Sequence, residues 1–375
     1  MSAFIKRLAC FAAITALGAN ANALEFSDAE RAMIAQHGPW PPTLPRDGSN
    51  AASENEAAIR LGEMLFFDHA LGNDSRLSCA SCHDPGLAFS DGRATGQGRR
   101  PLARNTPSLL NLKGNRWFGF GGEHDSLWAQ SIRPIIAARE MASSATQVSE
   151  LLRGRDRYRQ YYRTAFGATA QAHAPEQVLV NVGKALAAYQ ETLLSPRSAF
   201  DDFRDALLTG DQAASEHYPQ GAQRGLKIFI GAGRCNLCHA GPKFSSGEFA
   251  NTGIPATNAD SGRLRGIERL RANPYNLLGK YNDGDAQQNA VKTRQARPSD
   301  RDRGAFKIPG LRGVAATSPY MHDGSIATLR DVVRHYATLD AKRLPAGDAG
   351  MLRPLNLSET EIDDLVSFLE SLGEE

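Results

Sequence analysis

Apolar residues recur at helical spacing in several long stretches of this 375-residue chain. Residues 54–67 form one such stretch, and residues 147–166 and 176–194 form two longer ones. Pro175 stands just before the last stretch, at a first-turn position that proline favours, and Pro196 breaks helical continuation after it. The pattern predicts a chain built largely from helices.

The C-terminal stretch carries the clearest helix signal. Ser358 followed by Glu361 is a capping box, in which each side chain bonds a backbone N–H at the helix start. One apolar stripe follows, formed by Ile362, Leu365, Val366, Leu369 and Leu372. Strand signals are sparse, and residues 251–299 are rich in Gly, Asn, Asp and Arg, so we predict mostly loop there. The predicted fold class is mainly α, with few strands.

The first 23 residues have the features of a secretory signal peptide. Lys6 and Arg7 precede an apolar run over residues 8–17, and residues 21–23 form an Ala-Asn-Ala cleavage signal. That run is too short to anchor the chain in a bilayer, and no later segment is apolar enough to cross one. We predict a signal peptide over residues 1–23, export to the periplasm and no membrane span.

Cleavage of this segment also changes the charge. The full chain has a formal net charge of +2, and loss of Lys6 and Arg7 leaves the mature chain neutral. A neutral chain argues against nucleic acid as a partner. The mature length is sufficient for two domains, each with its own core.

Cysteine spacing is the most informative chemical feature. Of five cysteines, Cys10 lies in the signal segment, and the other four form two C-x-x-C-H motifs. These are Cys79-Ala80-Ser81-Cys82-His83 and Cys235-Asn236-Leu237-Cys238-His239. The motif is the attachment signature of c-type haem, in which two thiols bind the vinyl groups and the histidine takes the proximal iron position. We predict two covalently bound c-type haems.

Three alternatives for these cysteines are weaker. Two disulfides would suit an exported protein but leave the repeated C-x-x-C-H spacing unexplained. A thioredoxin-like motif lacks a βαβ context, and a four-cysteine zinc site leaves the two adjacent histidines without a role.

The surroundings of the two motifs resemble each other. Each motif follows a helical G-x-x-x-F segment and precedes an F-S-x-G segment. The matching residues are Gly62, Phe66 and Phe89 in the first unit and Gly225, Phe229 and Phe244 in the second. We therefore predict a duplicated architecture of two cytochrome c-like haem domains, over residues 24–205 and 206–375.

Four further stretches extend the pattern in order along the chain. They are Arg104-Asn105-Thr106-Pro107-Ser108-Leu109, Arg139-Glu140-Met141, Phe306-Lys307-Ile308-Pro309-Gly310-Leu311-Arg312 and Pro319-Tyr320-Met321-His322-Asp323-Gly324. With the two haem motifs, they make the chain similar to the bacterial di-haem cytochrome c peroxidases over essentially its whole mature length.

The resemblance implies that the N-terminal haem, on His83, reacts with hydrogen peroxide. Glu140 would be the distal carboxylate that moves the proton during O–O cleavage. Gln130 would orient this carboxylate, and Pro134 would crowd the sixth position of the iron.

The family divides at the C-terminal haem, where either methionine or tyrosine stands 14 residues after the histidine of H-[DN]-G. Counting from His322 gives Tyr336, so the chain resembles the MauG branch, with His239 and Tyr336 as axial ligands. An anionic phenolate favours high oxidation states, so this domain would transfer electrons or store an oxidising equivalent as Fe(IV). His335, about 100° around the helix, and Met321 are the rival ligands.

In two places the resemblance leaves questions open. The family usually has tryptophan between the haems, where this chain has Phe120. Trp117 or Trp128 would have to take over hole transfer, or the haems would couple by direct tunnelling. Asn105 matches a residue that helps to hold calcium between the domains, so one calcium ion is a further expectation.

Three functions remain to be weighed. In the leading hypothesis, a periplasmic di-haem enzyme uses hydrogen peroxide to oxidise a side chain on a partner protein, as in MauG. In the second, a conventional peroxidase takes electrons from a small cytochrome or cupredoxin. In the third, a non-catalytic carrier has two six-coordinate haems.

Overall fold

The computed structural model describes residues 24–254, 260–344 and 352–374. The predicted signal peptide lies outside these residues. They contain fourteen α-helices and one two-stranded antiparallel sheet, so the mainly α fold class is confirmed. None of these helices is both long and apolar enough to cross a membrane.

The helices are α1 Asp28–Ala35, α2 Glu56–Phe67, α3 Leu127–Ile136, α4 Ala145–Gly154, α5 Asp156–Phe166, α6 Pro175–Gln190, α7 Ala199–Thr209, α8 Gln212–Glu216, α9 Gln220–Ile230, α10 Arg263–Ala272, α11 Ala286–Asn289, α12 Val291–Gln295, α13 Leu329–Ala337 and α14 Glu359–Glu370. The strands are β1 Phe249–Ala250 and β2 Phe306–Lys307. Phe249 pairs with Lys307, and Ala250 pairs with Phe306.

Most of the predicted helices are present, with shifted ends. The capping box of Ser358 and Glu361 opens α14 as expected. The stretch at 147–166 is two helices, because Arg155 adopts an extended conformation between α4 and α5. Gly154, a poor helix former, ends the first of them.

The loop predicted over residues 251–299 was wrong in part, because α10, α11 and α12 lie there. In α10 the buried apolar residues are Ile267 and Leu270, and four arginines occupy other positions. Such a weak apolar stripe gives little periodic signal, so burial against the rest of the protein decides the structure there.

In the first of two hydrophobic cores, α2 packs across α6 and α6 packs against α3. Gly62 makes the first crossing possible, because a Cβ there would lie 2.1 Å from the Ala185 carbonyl oxygen. Trp128 and Tyr162 are fully buried in this core.

The second core repeats this arrangement. Here α9 packs across α14, and a Cβ on Gly225 would lie 2.0 Å from the Asp364 carbonyl oxygen. Helices α1 and α7 also pack into this core, through Ile34 and Phe200. The boundary between residues 205 and 206 stays a prediction, and α7, which spans it, contributes to the second core.

Candidate functional site

A cavity of about 1060 Å³ runs between the two cores, and both C-x-x-C-H motifs line it. Cys82 and His83 contribute from the first unit, and Cys235, Cys238 and His239 contribute from the second. The cavity is therefore shared by the two predicted haem sites.

Each motif begins with a single 3₁₀ turn that presents the histidine in the same way. His83 Nδ1 lies 2.9 Å from the Phe89 carbonyl oxygen, and His239 Nδ1 lies 2.9 Å from that of Phe244. Both phenylalanines have positive φ, which turns their carbonyls towards the rings. The bond fixes Nδ1 as the N–H donor and leaves Nε2 as a metal ligand.

Burial lowers the pKa of both His83 and His239, although the backbone carbonyl bonds oppose this effect. The neutral imidazole that results is the form that binds iron. Burial also raises the pKa of Cys79 and Cys235 to about 12.

The four motif cysteines fit haem attachment better than the alternatives. None of them forms a disulfide within the described part of the chain. Across the same residues, no group of three or more His, Cys, Asp or Glu side chains is placed to hold a metal ion, so no four-cysteine zinc site forms. Eleven Lys or Arg residues line the cavity against three Asp or Glu among those described, which suits the carboxylates of two haems.

Glu140 lies beside the first motif. Its negative charge contributes, after burial, to the raised pKa of Cys79 and Cys82. Arg133 Nη1 lies 2.7 Å from Glu140 Oε1, in an ion contact without hydrogen-bond geometry. The carboxylate thus lines the cavity near the first motif.

Gln130, Pro134 and Glu140 all line the cavity, and Gln130 and Pro134 lie about one turn apart on α3. Buried Gln130 Oε1 and Glu140 Oε1 have no hydrogen-bond partner among the described residues. Buried polar atoms rarely lack partners, so two of them in one wall indicate that something polar binds there. Pro134 lies inside α3, and its carbonyl oxygen accepts a hydrogen bond from Met141 N–H at 3.1 Å.

Tyr336 lies near the end of α13 and lines the cavity at the second motif. Burial, followed by the field of Cys235 and Cys238, raises the pKa of Tyr336 well above its usual range. The phenol therefore keeps its proton unless a cation replaces it.

The rival ligand His335 points elsewhere. Its Nε2 lies 2.7 Å from the Thr252 carbonyl oxygen, and it is absent from the described lining of the cavity. Met321 does line the cavity, with φ of 75°, so it stays a rival on position alone.

The tryptophans differ in their placement. Trp117 and Phe120 line the cavity, whereas Trp128 is fully buried in the first core and donates to Ser49 Oγ at 3.2 Å. The Arg263 guanidinium lies 4.3 Å from the Trp117 ring centroid. A cation over an indole disfavours removal of an electron from it.

Asn105, the predicted calcium ligand, forms hydrogen bonds with residues of both units. Its Nδ2 donates to the Arg93 carbonyl oxygen at 2.8 Å, and its backbone N–H donates to that of His322 at 2.8 Å. Both bonds use N–H groups and leave Oδ1 for a cation, so the calcium site stays a prediction.

Sequence reasoning missed several charged residues of the cavity wall. Arg104 forms two bonds to Asp260, at 2.7 and 2.8 Å, and an ion pair with Glu123. Lys243 and Lys307 also line the cavity. Arg104 and Lys307 belong to stretches already singled out in the sequence, but only the fold shows their partners.

Comparisons with known proteins agree with this geometry. A sequence model of the family described as di-haem cytochrome c peroxidase matches residues 56–211. The methylamine utilization protein MauG of Methylorubrum extorquens is 36% identical over 368 residues, which cover 97% of this chain and 91% of that protein. The cytochrome-c peroxidase IdrP1 of Denitromonas iodatirespirans is 32% identical over 342 residues, covering 90% and 86%. The crystal structure of the diheme peroxidase BthA from Burkholderia thailandensis has a TM-score of 0.67 at 23% identity, covering 85% and 86%.

Two haem attachment motifs facing one cavity in a helical fold define a di-haem c-type cytochrome. More particularly, the chain belongs to the di-haem cytochrome c peroxidase family that includes MauG. It is an oxidoreductase that uses peroxide and carries two c-type haems.

Proposed function

We propose that this protein is a periplasmic enzyme that reduces hydrogen peroxide at its N-terminal haem and takes the two electrons from a side chain of a partner protein. Glu140 would be the acid–base residue, Gln130 and Pro134 would shape the distal pocket, and Tyr336 would bind the iron of the C-terminal haem. The observation that carries the proposal is the pair of buried oxygens without a hydrogen-bond partner, on Gln130 and Glu140, in the lining of the cavity that both haem motifs share.

Reduction of peroxide needs two electrons and two protons and yields two water molecules. The bound haem supplies the redox chemistry at this site. Glu140 accepts the proton of the near peroxide oxygen at its carboxylate and returns it to the leaving oxygen. Arg133, 2.7 Å away, balances the negative charge and limits the movement of the side chain.

Gln130 has a supporting role in this arrangement. Its unpartnered Oε1 can accept a hydrogen bond from peroxide, or from Glu140 while the latter is protonated. A carboxamide does not titrate, so it can hold the orientation of the pair throughout the cycle.

Tyr336 would bind the iron of the C-terminal haem through its phenol oxygen. Its raised pKa opposes loss of the proton, and binding to a ferric iron would reverse this, as for any acid that ligates a cation. His335 is already bonded to Thr252, which favours Tyr336 over its neighbour.

The donor is inferred from the relatives. MauG of Methylorubrum extorquens is described as a methylamine utilization protein. A protein side chain as the electron donor is what the resemblance to the MauG branch implies. The cytochrome-c peroxidase IdrP1, 32% identical, favours a second candidate, a peroxidase supplied by a small cytochrome or cupredoxin. Tyr336 in place of methionine favours the first.

Glu140→Gln tests the proposal, with Glu150→Gln, an exposed residue of α4, as the matched control. We expect the rate of peroxide consumption by the diferric holoprotein to fall between about 10²-fold and 10⁴-fold in the first variant and to be unchanged in the second. Near-infrared absorption after each equivalent of peroxide would monitor charge sharing between the haems. Wild-type rates in Glu140→Gln would contradict the proposal.

A further inference from the structure

Lys307 places an ammonium group in the cavity wall without an opposite charge. It is half-buried at the end of β2, and its backbone N–H donates to the Phe120 carbonyl oxygen at 2.8 Å. Within the described ranges its Nζ has neither an ion pair nor a hydrogen bond. Burial lowers the pKa of Lys307 to about 8.

Lys243 is a second such group close by. Its Nζ donates to Asn115 Oδ1 at 3.0 Å and to the Lys113 carbonyl oxygen, which are both neutral acceptors. Burial, and then the charge of Lys307, lower the pKa of Lys243 to about 8. Two ammonium groups therefore approach each other at the same wall.

Several other cations of the cavity wall have carboxylate partners in the protein. Arg104 binds Asp260 and Glu123, Arg312 binds Asp201, and Arg133 contacts Glu140. An ammonium that is half-buried without a carboxylate is destabilised by lost hydration. Two neighbouring ammoniums destabilise each other further, so a negatively charged occupant of the cavity would stabilise both.

The chain places both lysines around His239. Lys243 directly precedes Phe244, whose carbonyl oxygen accepts from the histidine ring. Lys307 lies two residues before Pro309, which also lines the cavity, and Leu311 N–H donates to the Lys243 carbonyl oxygen at 3.3 Å. Phe120, whose carbonyl oxygen accepts from Lys307 N–H, belongs to the first unit, so this edge of the second haem site lies next to the first unit.

We propose that Lys243 and Lys307 bind a propionate carboxylate of the C-terminal haem, on the edge that faces the N-terminal unit. A haem attached through its vinyl groups keeps both propionates, so it brings the anion that this wall lacks. Two ammonium donors around one carboxylate give charge-assisted hydrogen bonds, which are stronger than neutral ones. The inference depends on haem attachment and not on the peroxide chemistry of the proposed function.

Charge neutralisation here affects the redox equilibrium of the haem. Reduction adds an electron, and a nearby cation favours the more negative reduced state. The C-terminal haem would therefore be easier to reduce when its propionate is paired with the lysines than when the propionate is unpaired.

Lys307→Gln and Lys243→Gln in the holoprotein test the assignment. At a solution potential held constant by a redox mediator, we expect the reduced-to-oxidised ratio of the C-terminal haem to fall about tenfold in each variant. This fall is equivalent to about 59 mV for a one-electron couple. Lys307→Arg, which keeps the charge, should stay near wild type. Lys292→Gln is the matched control, because this exposed lysine pairs with Glu248 and makes no contact with the cavity in the described lining.

Resonance Raman propionate bands distinguish contact from a distant charge effect. Shifted bands together with the lowered ratio support the assignment, and a lowered ratio with unchanged bands overturns it. An unchanged ratio also overturns it, and haem content with circular dichroism would show that the variant is folded. If added chloride shifts the wild-type ratio but not that of Lys307→Gln, the lysines bind a free anion and the assignment is wrong. Peroxide consumption, measured in parallel, tests the proposed function separately, because the propionate contact depends only on haem attachment.

Discussion

The two haem units share one side of their sites and differ on the other. On the proximal side, a helix with a close-contact glycine, a 3₁₀ turn and a phenylalanine carbonyl recur around His83 and His239. Elsewhere in the cavity lining, the first unit contributes Glu140 and Gln130, whereas the second contributes Tyr336.

This difference shows where function is decided in a duplicated protein. The repeated elements attach and orient the haem, and they are constrained by that common task. The residues that differ come from α3 and the segment after it in the first unit and from the end of α13 in the second. Under the proposed function, the same scaffold would hold one iron open to peroxide and close the other.

The predicted loss of peroxide consumption in Glu140→Gln is the largest expected effect, and it should be confined to the first unit. The next three changes act on the shared scaffold, on the second unit alone, and on the space between the units.

Gly62→Ala and Gly225→Ala should disturb the shared scaffold to a similar extent. Each new Cβ would lie about 2 Å from a backbone carbonyl oxygen of the opposing helix, so the helices must separate. We expect each variant to lose about 2 kcal/mol in the free energy of unfolding, measured by urea titration with circular dichroism. Gly154→Ala, with no atom within 4 Å of the new Cβ, is the control and should lose nothing. Unequal losses would show that the two crossings are not equivalent.

His37 makes the second unit sensitive to acid. It stacks on Phe244 with centroids 4.4 Å apart, and burial lowers its pKa to about 4. The unfolded chain binds a proton near the ordinary pKa of 6.5, so stability falls as the pH drops from above 6.5 towards 4.

Between pH 7 and pH 5 this group should cost the wild type about 2 kcal/mol, and His37→Gln should lack that contribution. Urea titrations of both proteins at the two pH values measure the difference. Identical pH dependence in both would show that folding does not lower the pKa of His37.

Trp117→Phe should have the smallest effect. Because the Arg263 guanidinium lies over the ring, Trp117 is a poor site for a positive hole, and we expect charge sharing between the haems to change by less than about twofold. The intensity of the near-infrared absorption after peroxide addition measures it. A loss of that absorption would make Trp117 the relay in place of the usual tryptophan at position 120.

The sequence predicted features that depend on local patterns. The C-x-x-C-H spacing, the capping box at Ser358 and the repeated glycine and phenylalanine positions needed no knowledge of distant contacts. Tyr336 was predicted to be an iron ligand only by counting from His322, because nothing in its own helix separates an iron ligand from a packing residue.

Long-range contacts could not be predicted in this way. Lys243 and Lys307 are 64 positions apart, and neither residue alone indicates that the other lies beside it or that carboxylates are missing. Helix α10 was missed because its burial depends on the chain around residues 121–122, to which Arg263 donates. The break at Arg155 reflects the packing of α4 and α5 as separate helices.

The most direct test of the difference between the two haem sites is the electron paramagnetic resonance spectrum of the resting diferric protein and of two neighbouring variants. We expect one high-spin and one six-coordinate low-spin ferric haem in the wild type. We expect Tyr336→Phe to lose the wild-type low-spin signal and His335→Phe to keep it. A wild-type low-spin signal in Tyr336→Phe, or two low-spin haems at rest, would contradict this expectation.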